Sequence, residues 1–344
     1  MTRPRLPLFL PRLLPILVLF VLPIPALADF HLLRKATLGG EGGWDYLTLD
    51  REAHRLYIAR STHVMVVDAD SLKVVGELSG TLGVHGVALV PELGHGFTSN
   101  GRDSSVTIFD LKTLQTVGRV RVGLRPDAIV YDPASRRVFT MNGGSNDATA
   151  IDVATGTVAG TVPLGGQPEA AACDGQGKLY VNLEDSSQVV VVDTRTLKTG
   201  GRWSLAPGEH PTGLALDAAH SRLFSGCANR KLVVMDARNG AVLAALPIGE
   251  RVDGVAFDPG LGLAFSSNGE GTLTVVRAES PKRFTVAGNV TTARGARTLA
   301  LDSHAHRVYL VTAQFGPTPA PTAEQPHPRP SMVPDTFEVL VFGK

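Results

Sequence analysis

The sequence predicts an all-β chain folded as a seven-bladed β-propeller, four antiparallel strands to a blade, and three observations carry that prediction. The phrase Leu-Thr-Leu-Asp at 47 to 50 recurs in apolar form at 87 to 90, 129 to 132, 171 to 174, 214 to 217, 255 to 258 and 299 to 302, giving seven copies 40 to 44 residues apart. After each copy comes a short turn and a second apolar run marked by an aromatic residue, at Tyr57, Phe97, Phe139, Tyr180, Phe224, Phe265 and Tyr309. A third run ends in Asp at Asp68, Asp110, Asp152, Asp193 and Asp236, before turns such as 154 to 156 and 238 to 240. Asp accepts turn N–H groups and Gly tolerates positive φ, so these are hairpin turns. A repeat of this length that holds four short strands cannot bury both faces alone, and seven of them close around a central channel.

In chain order, residues 1 to 28 carry Arg3, Arg5 and Arg12, an apolar run from Leu13 to Leu22, and Ala26-Leu27-Ala28. This is the order of a secretory signal cleaved after Ala28. Pro15 and Pro23 break the run, which falls short of the roughly 20 apolar residues that span a bilayer. A periplasmic or secreted protein beginning at Asp29, with no transmembrane segment once the signal is removed, is expected. Residues 29 to 344 then form one propeller domain. The last copy supplies only three strands, and Phe30 to Leu38 reads as the missing fourth, closing the ring as the outer strand of the last blade. Small residues at Thr48, Ala88, Val130, Ala172, Ala215, Ala256 and Ala300 suit innermost strands crowded at the centre.

The second runs end in Phe-Thr-Ser-Asn (97 to 100), Phe-Thr-Met-Asn (139 to 142) and Phe-Ser-Ser-Asn (265 to 268). These resemble the YVTN repeat, and the chain from residue 29 resembles the YncE-like, YVTN-repeat propellers of the bacterial envelope. The resemblance implies a seven-bladed periplasmic propeller. Its relatives include proteins linked to nucleic-acid binding, surface layers or redox pathways, and it transfers no catalytic residue. The Trp-Asp ending of WD repeats is absent. So is the docking Trp of quinoprotein blades, since Thr157 and Val158 follow the turn at Thr155-Gly156.

The whole chain has 33 Lys and Arg against 32 Asp and Glu; without residues 1 to 28 the balance is 30 against 32. No basic surplus or stripe draws in a polyanion, so nucleic acid is an unfavoured partner. Cys173 and Cys227 are too few for a disulfide scaffold and form no haem or CxxC motif. No GxSxG, HExxH or phosphate loop occurs.

Five positions before the Asp50 column stand Asp45, His85, Asp127, Glu169, Thr212, Asp253 and Arg297, one per blade. They are expected to ring the channel mouth and to bind a ligand. Carboxylates with a His suit a divalent cation, Ca²⁺, Mg²⁺ or Zn²⁺, at Asp45, His85, Asp127, Glu169 and Asp253. The competing expectation is that each carboxylate caps backbone N–H groups of the next blade. Capping would be served by one repeated residue type, as at the five turn aspartates, whereas these seven positions differ. Trp44 either stacks on a flat ligand or packs between the first and last blades. His210 reads as a turn residue. Between Thr312 and Phe337 the last blade carries a Pro-rich insertion, 314 to 336, read equally as a mouth-face lid or docking arm and as a spacer.

The function expected is an exported binding or scaffold protein that takes a small ligand or an envelope protein on the channel-mouth face, the chain being a monomer. The alternative is a metal-assisted hydrolase or lyase of lactonase type, in which Asp45, His85, Asp127, Glu169 and Asp253 hold the cation and move the proton. Single-stranded nucleic-acid binding ranks third.

Overall fold

The computed structural model describes residues 1–2, 30–322, 328 and 330–344. The expected signal and its cleavage site lie outside the described residues except for the first two. The described chain forms seven four-stranded antiparallel sheets. Blade one holds β2 (Leu47–Asp50), β3 (Arg55–Ala59), β4 (Val64–Asp68) and β5 (Val74–Leu78); blade two runs from β6 (Val84–Val90) to β9 (Thr116–Arg121). Blade three runs from β10 (Pro126–Asp132) to β13 (Thr157–Pro163), blade four from β14 (Pro168–Cys173) to β17 (Lys198–Ser204), blade five from β18 (Pro211–Asp217) to β21 (Val242–Pro247), and blade six from β22 (Val252–Asp258) to β25 (Arg283–Thr291).

Blade seven takes β26 (Leu299–Asp302), β27 (Arg307–Thr312) and β28 (Glu338–Gly343) from the C-terminal end and β1 (His31–Thr37) from the N-terminal end, in the order β1-β28-β27-β26. The expected closure is therefore present: His31 lies opposite Gly343 and Thr37 opposite Glu338. Phe30 adds a buried contact at the junction, its ring 5.1 Å from that of Phe265 in blade six.

The aromatic column is the core. Tyr57, Phe97, Phe139, Phe224 and Phe265 have no exposed surface and Tyr309 and Tyr180 nearly none, and burying such a side chain stabilises by roughly 1.5–3 kcal/mol. The Asp of the first run caps its own turn, as where Asp132 Oδ2 accepts from the backbone N–H of Ser135 at 3.1 Å. The Asp of the third run does the same, as where Asp152 Oδ1 accepts from Thr155 N–H at 2.9 Å. The Asn of the YVTN-like ending is a buried tie between second and third strands: Asn142 Nδ2 donates to Thr149 Oγ1 at 2.9 Å and Asn268 Nδ2 to Thr274 Oγ1 at the same distance. Both cysteines are free.

In blade one the Asn column is occupied by Arg60, and this side chain has a different task. It is fully buried, and its guanidinium donates to the carbonyls of Gly39, Gly40, Glu41, Gly42 and Gly43 at 2.9–3.3 Å while lying 3.6 Å from the centroid of the Phe337 ring. One side chain thus satisfies the whole loop that joins blade seven to blade one. Gly42, at φ +88, allows the loop to close on it, because a Cβ there would sit 2.6 Å from the Arg60 carbonyl oxygen.

Candidate functional site at the channel mouth

The mouth residues are aimed by irregularities in the inner strands. The pairing of first and second strands slips between Val84 and Gly86, Pro126 and Ile129, Pro168 and Ala171, Pro211 and Leu214, and Val252 and Gly254. His85, Asp127, Glu169, Thr212 and Asp253 each sit in one of these slips. A bulge leaves a residue unpaired and redirects its side chain, so these five do not follow the side-to-side alternation of the strand. Asp45 and Arg297 lie just before the shorter strands β2 and β26.

Six of the seven form an interacting series around the mouth. Arg297 Nε donates to Asp253 Oδ2 at 2.6 Å, and its Nη2 lies 4.0 Å from Asp45 Oδ1 and donates to the Trp44 carbonyl at 3.3 Å. His85 Nδ1 donates to Asp45 Oδ2 at 2.6 Å and stands 3.6 Å from Asp127 Oδ1. Charges of opposite sign therefore alternate from Asp253 to Asp127, and Glu169 extends the acidic end. Thr212 departs from the ligand reading: its Oγ1 donates to the Val252 carbonyl at 2.8 Å and ties blade five to blade six. The capping expectation fails for the carboxylates, since among the described residues no backbone N–H donates to Asp45, Asp127, Glu169 or Asp253.

Crowding these groups sets their protonation. Burial, and after it the Asp127 and Asp253 charges, push the Glu169 carboxyl up to about 9. Burial and the neighbouring Asp45 and Asp253 charges raise Asp127 to about 7, although His85 opposes them. Burial raises Asp253 to about 6 against the pull of Arg297. Burial acts to lower the His85 imidazolium, but the Asp45 hydrogen bond and the Asp127 charge outweigh it, so its pKa rises. Like charges in a confined site resist simultaneous ionisation. The ring therefore holds protons at neutral pH that a bound cation would displace.

Asp45, His85 and Asp127 each offer a ligand atom within 4.8 Å of the other two. A Cβ on Gly101 would lie 2.9 Å from His85 Nε2, so that edge is packed on blade two and Nδ1 is the edge turned to the carboxylates. One imidazole with two carboxylates fits Zn²⁺ better than Ca²⁺ or Mg²⁺, which favour all-oxygen shells.

Tyr46 is a mouth residue that the repeat arithmetic passed over. Its column reads Gly86, Ala128, Ala170, Gly213, Gly254 and Thr298 in the other blades, and this break in a row of small residues is the signal that marks it. The side chain packs on the cluster shared by blades three and four and lines a cavity of about 180 Å³ in the channel with Gly86, Ala128, Ala170, Gly213 and Gly254. Burial and the charges of Glu169, Asp253, Asp127 and Asp45 hold its hydroxyl well above the ordinary phenol value, so it remains a proton donor facing acids.

Trp44 takes the packing role: it is 8% exposed, with its ring 5.7 Å from Phe337 and 5.9 Å from Phe315. The free stacking platform is excluded, although one edge borders a cavity described below. His210 is a turn residue as expected, at φ +48. The root of the insertion folds back on itself on the mouth face, Phe315 opposite Met332, with Gly316 N–H donating to the Ser331 carbonyl at 2.9 Å and Val333 N–H to that of Gln314 at 2.8 Å.

No protein-family model matches the sequence, and neither does any curated protein. Among solved structures, the chain is similar to one of the Kuenenia stuttgartiensis hydrazine synthase, with a TM-score of 0.69 and 16% identity over 80% of this chain and 94% of that one. It is also similar to a chain in the crystal structure of a mitotic checkpoint complex, with a TM-score of 0.73 and 13% identity over 91% of this chain and 92% of that one. At these identities the likeness establishes the fold: the chain is a seven-bladed β-propeller closed by its N-terminal strand.

Proposed function

We propose that this propeller is an exported binding protein of the bacterial envelope, of the YVTN-repeat kind, that holds a divalent cation of the Zn²⁺ type at its channel mouth and presents it to a small ligand. The observation that carries the reading is the convergence of His85 Nδ1, Asp45 and Asp127 within 4.8 Å, in a ring where Glu169 and Asp253 supply two further carboxyls. A propeller scaffold suits the task, because each blade contributes one independently variable side chain to a common centre. The signal read at residues 1 to 28 supports the address.

Metal-assisted hydrolysis or lyase chemistry is the second reading, and one observation favours it. Asp127 at about 7 and Glu169 at about 9 supply a proton acceptor and a proton donor around neutral pH, and general acid–base work needs such values near the operating pH. When bound, the cation would polarise a carbonyl. Asp45, His85 and Asp127 would hold it, and Tyr46 would offer its hydroxyl to a developing negative charge. An acidic mouth disfavours nucleic acid, whose phosphates it would repel.

Equilibrium dialysis of the EDTA-stripped protein against Zn²⁺, Mg²⁺ and Ca²⁺, with elemental analysis, tests the reading. It predicts one Zn²⁺ per chain, lost in His85→Ala. Zinc that stays equally bound in that variant, or no zinc at all, would overturn it.

A further inference from the structure

A second cavity lies beside the ring on the same face, about 710 Å³, between blades six and seven and the root of the insertion. Its walls include Trp44, Arg251, Arg294, Arg297, Phe315 and Met332. Arg297 is matched by Asp253 at 2.6 Å. Arg251 and Arg294 make no ion pair among the described residues. Arg251 donates from Nη2 to the Gly269 carbonyl at 3.0 Å, and the Arg294 guanidinium stands 5.8 Å from the centroid of the Phe315 ring. Asp253 is the one acid on the described lining, so among the described residues two positive charges stand without an acidic partner, immediately beside an acidic ring.

The remaining walls are apolar and built. Phe315 and Met332 face each other across the strand-like bridge at the root of the insertion, and Phe315 packs on Trp44. Arg251, at φ +58, occupies the left-handed turn position that Gly83, Arg125, His210 and Gly295 hold in other blades. The volume is that of a small-molecule pocket.

We propose that this cavity binds a small organic anion, a carboxylate carried on an aromatic or short aliphatic body. Arg251 and Arg294 grip the carboxylate, whose two oxygens match the planar fork of a guanidinium. The body lies against Phe315 and Met332. The site shares Arg297 and Asp253 with the ring, but it needs no cation, so it stands or falls separately from the proposed function.

Calorimetric titration of the EDTA-treated chain with benzoate and with phenylacetate, using benzamide as the uncharged control, decides the matter. Saturable binding of at least one carboxylate is expected, with none of benzamide. The exposed double variant Arg251→Ala/Arg294→Ala should weaken that binding at least tenfold while melting as the unsubstituted chain does. Benzamide binding as well as benzoate, undiminished binding in the double variant, or no saturation by either carboxylate below about 10 mM would each overturn the proposal.

Discussion

The same acidic residues behave in opposite ways at two places in the molecule. At the third-strand ends, Asp68, Asp110, Asp152 and Asp193 accept from the hydroxyl or backbone N–H of the residue three positions on, Asp236 accepts from Arg238, and all five carboxyls are held below the ordinary value. At the mouth, Asp127, Glu169 and Asp253 are enclosed with one another and are held above it. The turn aspartates are identical in five blades because each solves a local problem that every blade shares. The mouth residues differ from blade to blade because they answer to one common centre. Repetition marks architecture, and variation on the ring marks a shared object. Arg60 limits the lesson: it is unrepeated yet structural, because the closing loop it satisfies exists only once.

Replacing Arg60 tests that limit and should have the largest effect. Arg60→Ala leaves five loop carbonyls without their donor in a buried place, for a loss on the order of 3 kcal/mol, read by denaturant unfolding. A loss that zinc alters would tie Arg60 to the ring instead. The next effect is the pH dependence of the cation-free protein. The three raised carboxyls bind more protons folded than unfolded between about pH 4 and their folded values of 6 to 9. The ring's contribution to stability should therefore be fullest below about pH 4 and decline as pH rises through that window. Each carboxyl that stays protonated when folded and would be ionised when unfolded contributes about 1.4 kcal/mol of that decline per pH unit. His85, also raised, is stabilising while protonated and loses that contribution as pH rises through its folded value, so it acts in the same direction. Melts of EDTA-treated protein from pH 5 to pH 9 check this, and stability that rises across the range would contradict it. The smallest effect belongs to the turns. Asp152→Ala should cost about 1 kcal/mol with no response to zinc.

The architecture was legible in the sequence because a propeller repeats its instructions. Asp50 and Asp132 announce turns, Phe97 and Phe139 announce core, and Phe30 to Leu38 announces closure by being left over. The ring was legible as a set of columns, but not its wiring. That Thr212 donates to the Val252 carbonyl, or that His85 turns Nδ1 inward, depends on bulge geometry and on the approach of Gly101, which composition does not carry. Tyr46 was visible only as an exception in a small-residue column. Arg60 carries no signal in the sequence because its partners are carbonyls, which leave no trace there.

The central claim is that the mouth carboxylates are gathered for a ligand and not for the blades. Thermal melts of EDTA-stripped wild type and Asp127→Asn/Glu169→Gln at pH 8, each with and without zinc, test it most directly. The double variant should melt higher than wild type without metal, because buried repulsion is relieved. Zinc at about 100 times its dissociation constant should stabilise wild type by about 2.7 kcal/mol and leave the variant unchanged. A double variant that melts lower than wild type by the same margin with and without zinc would contradict the account and return the ring to architecture.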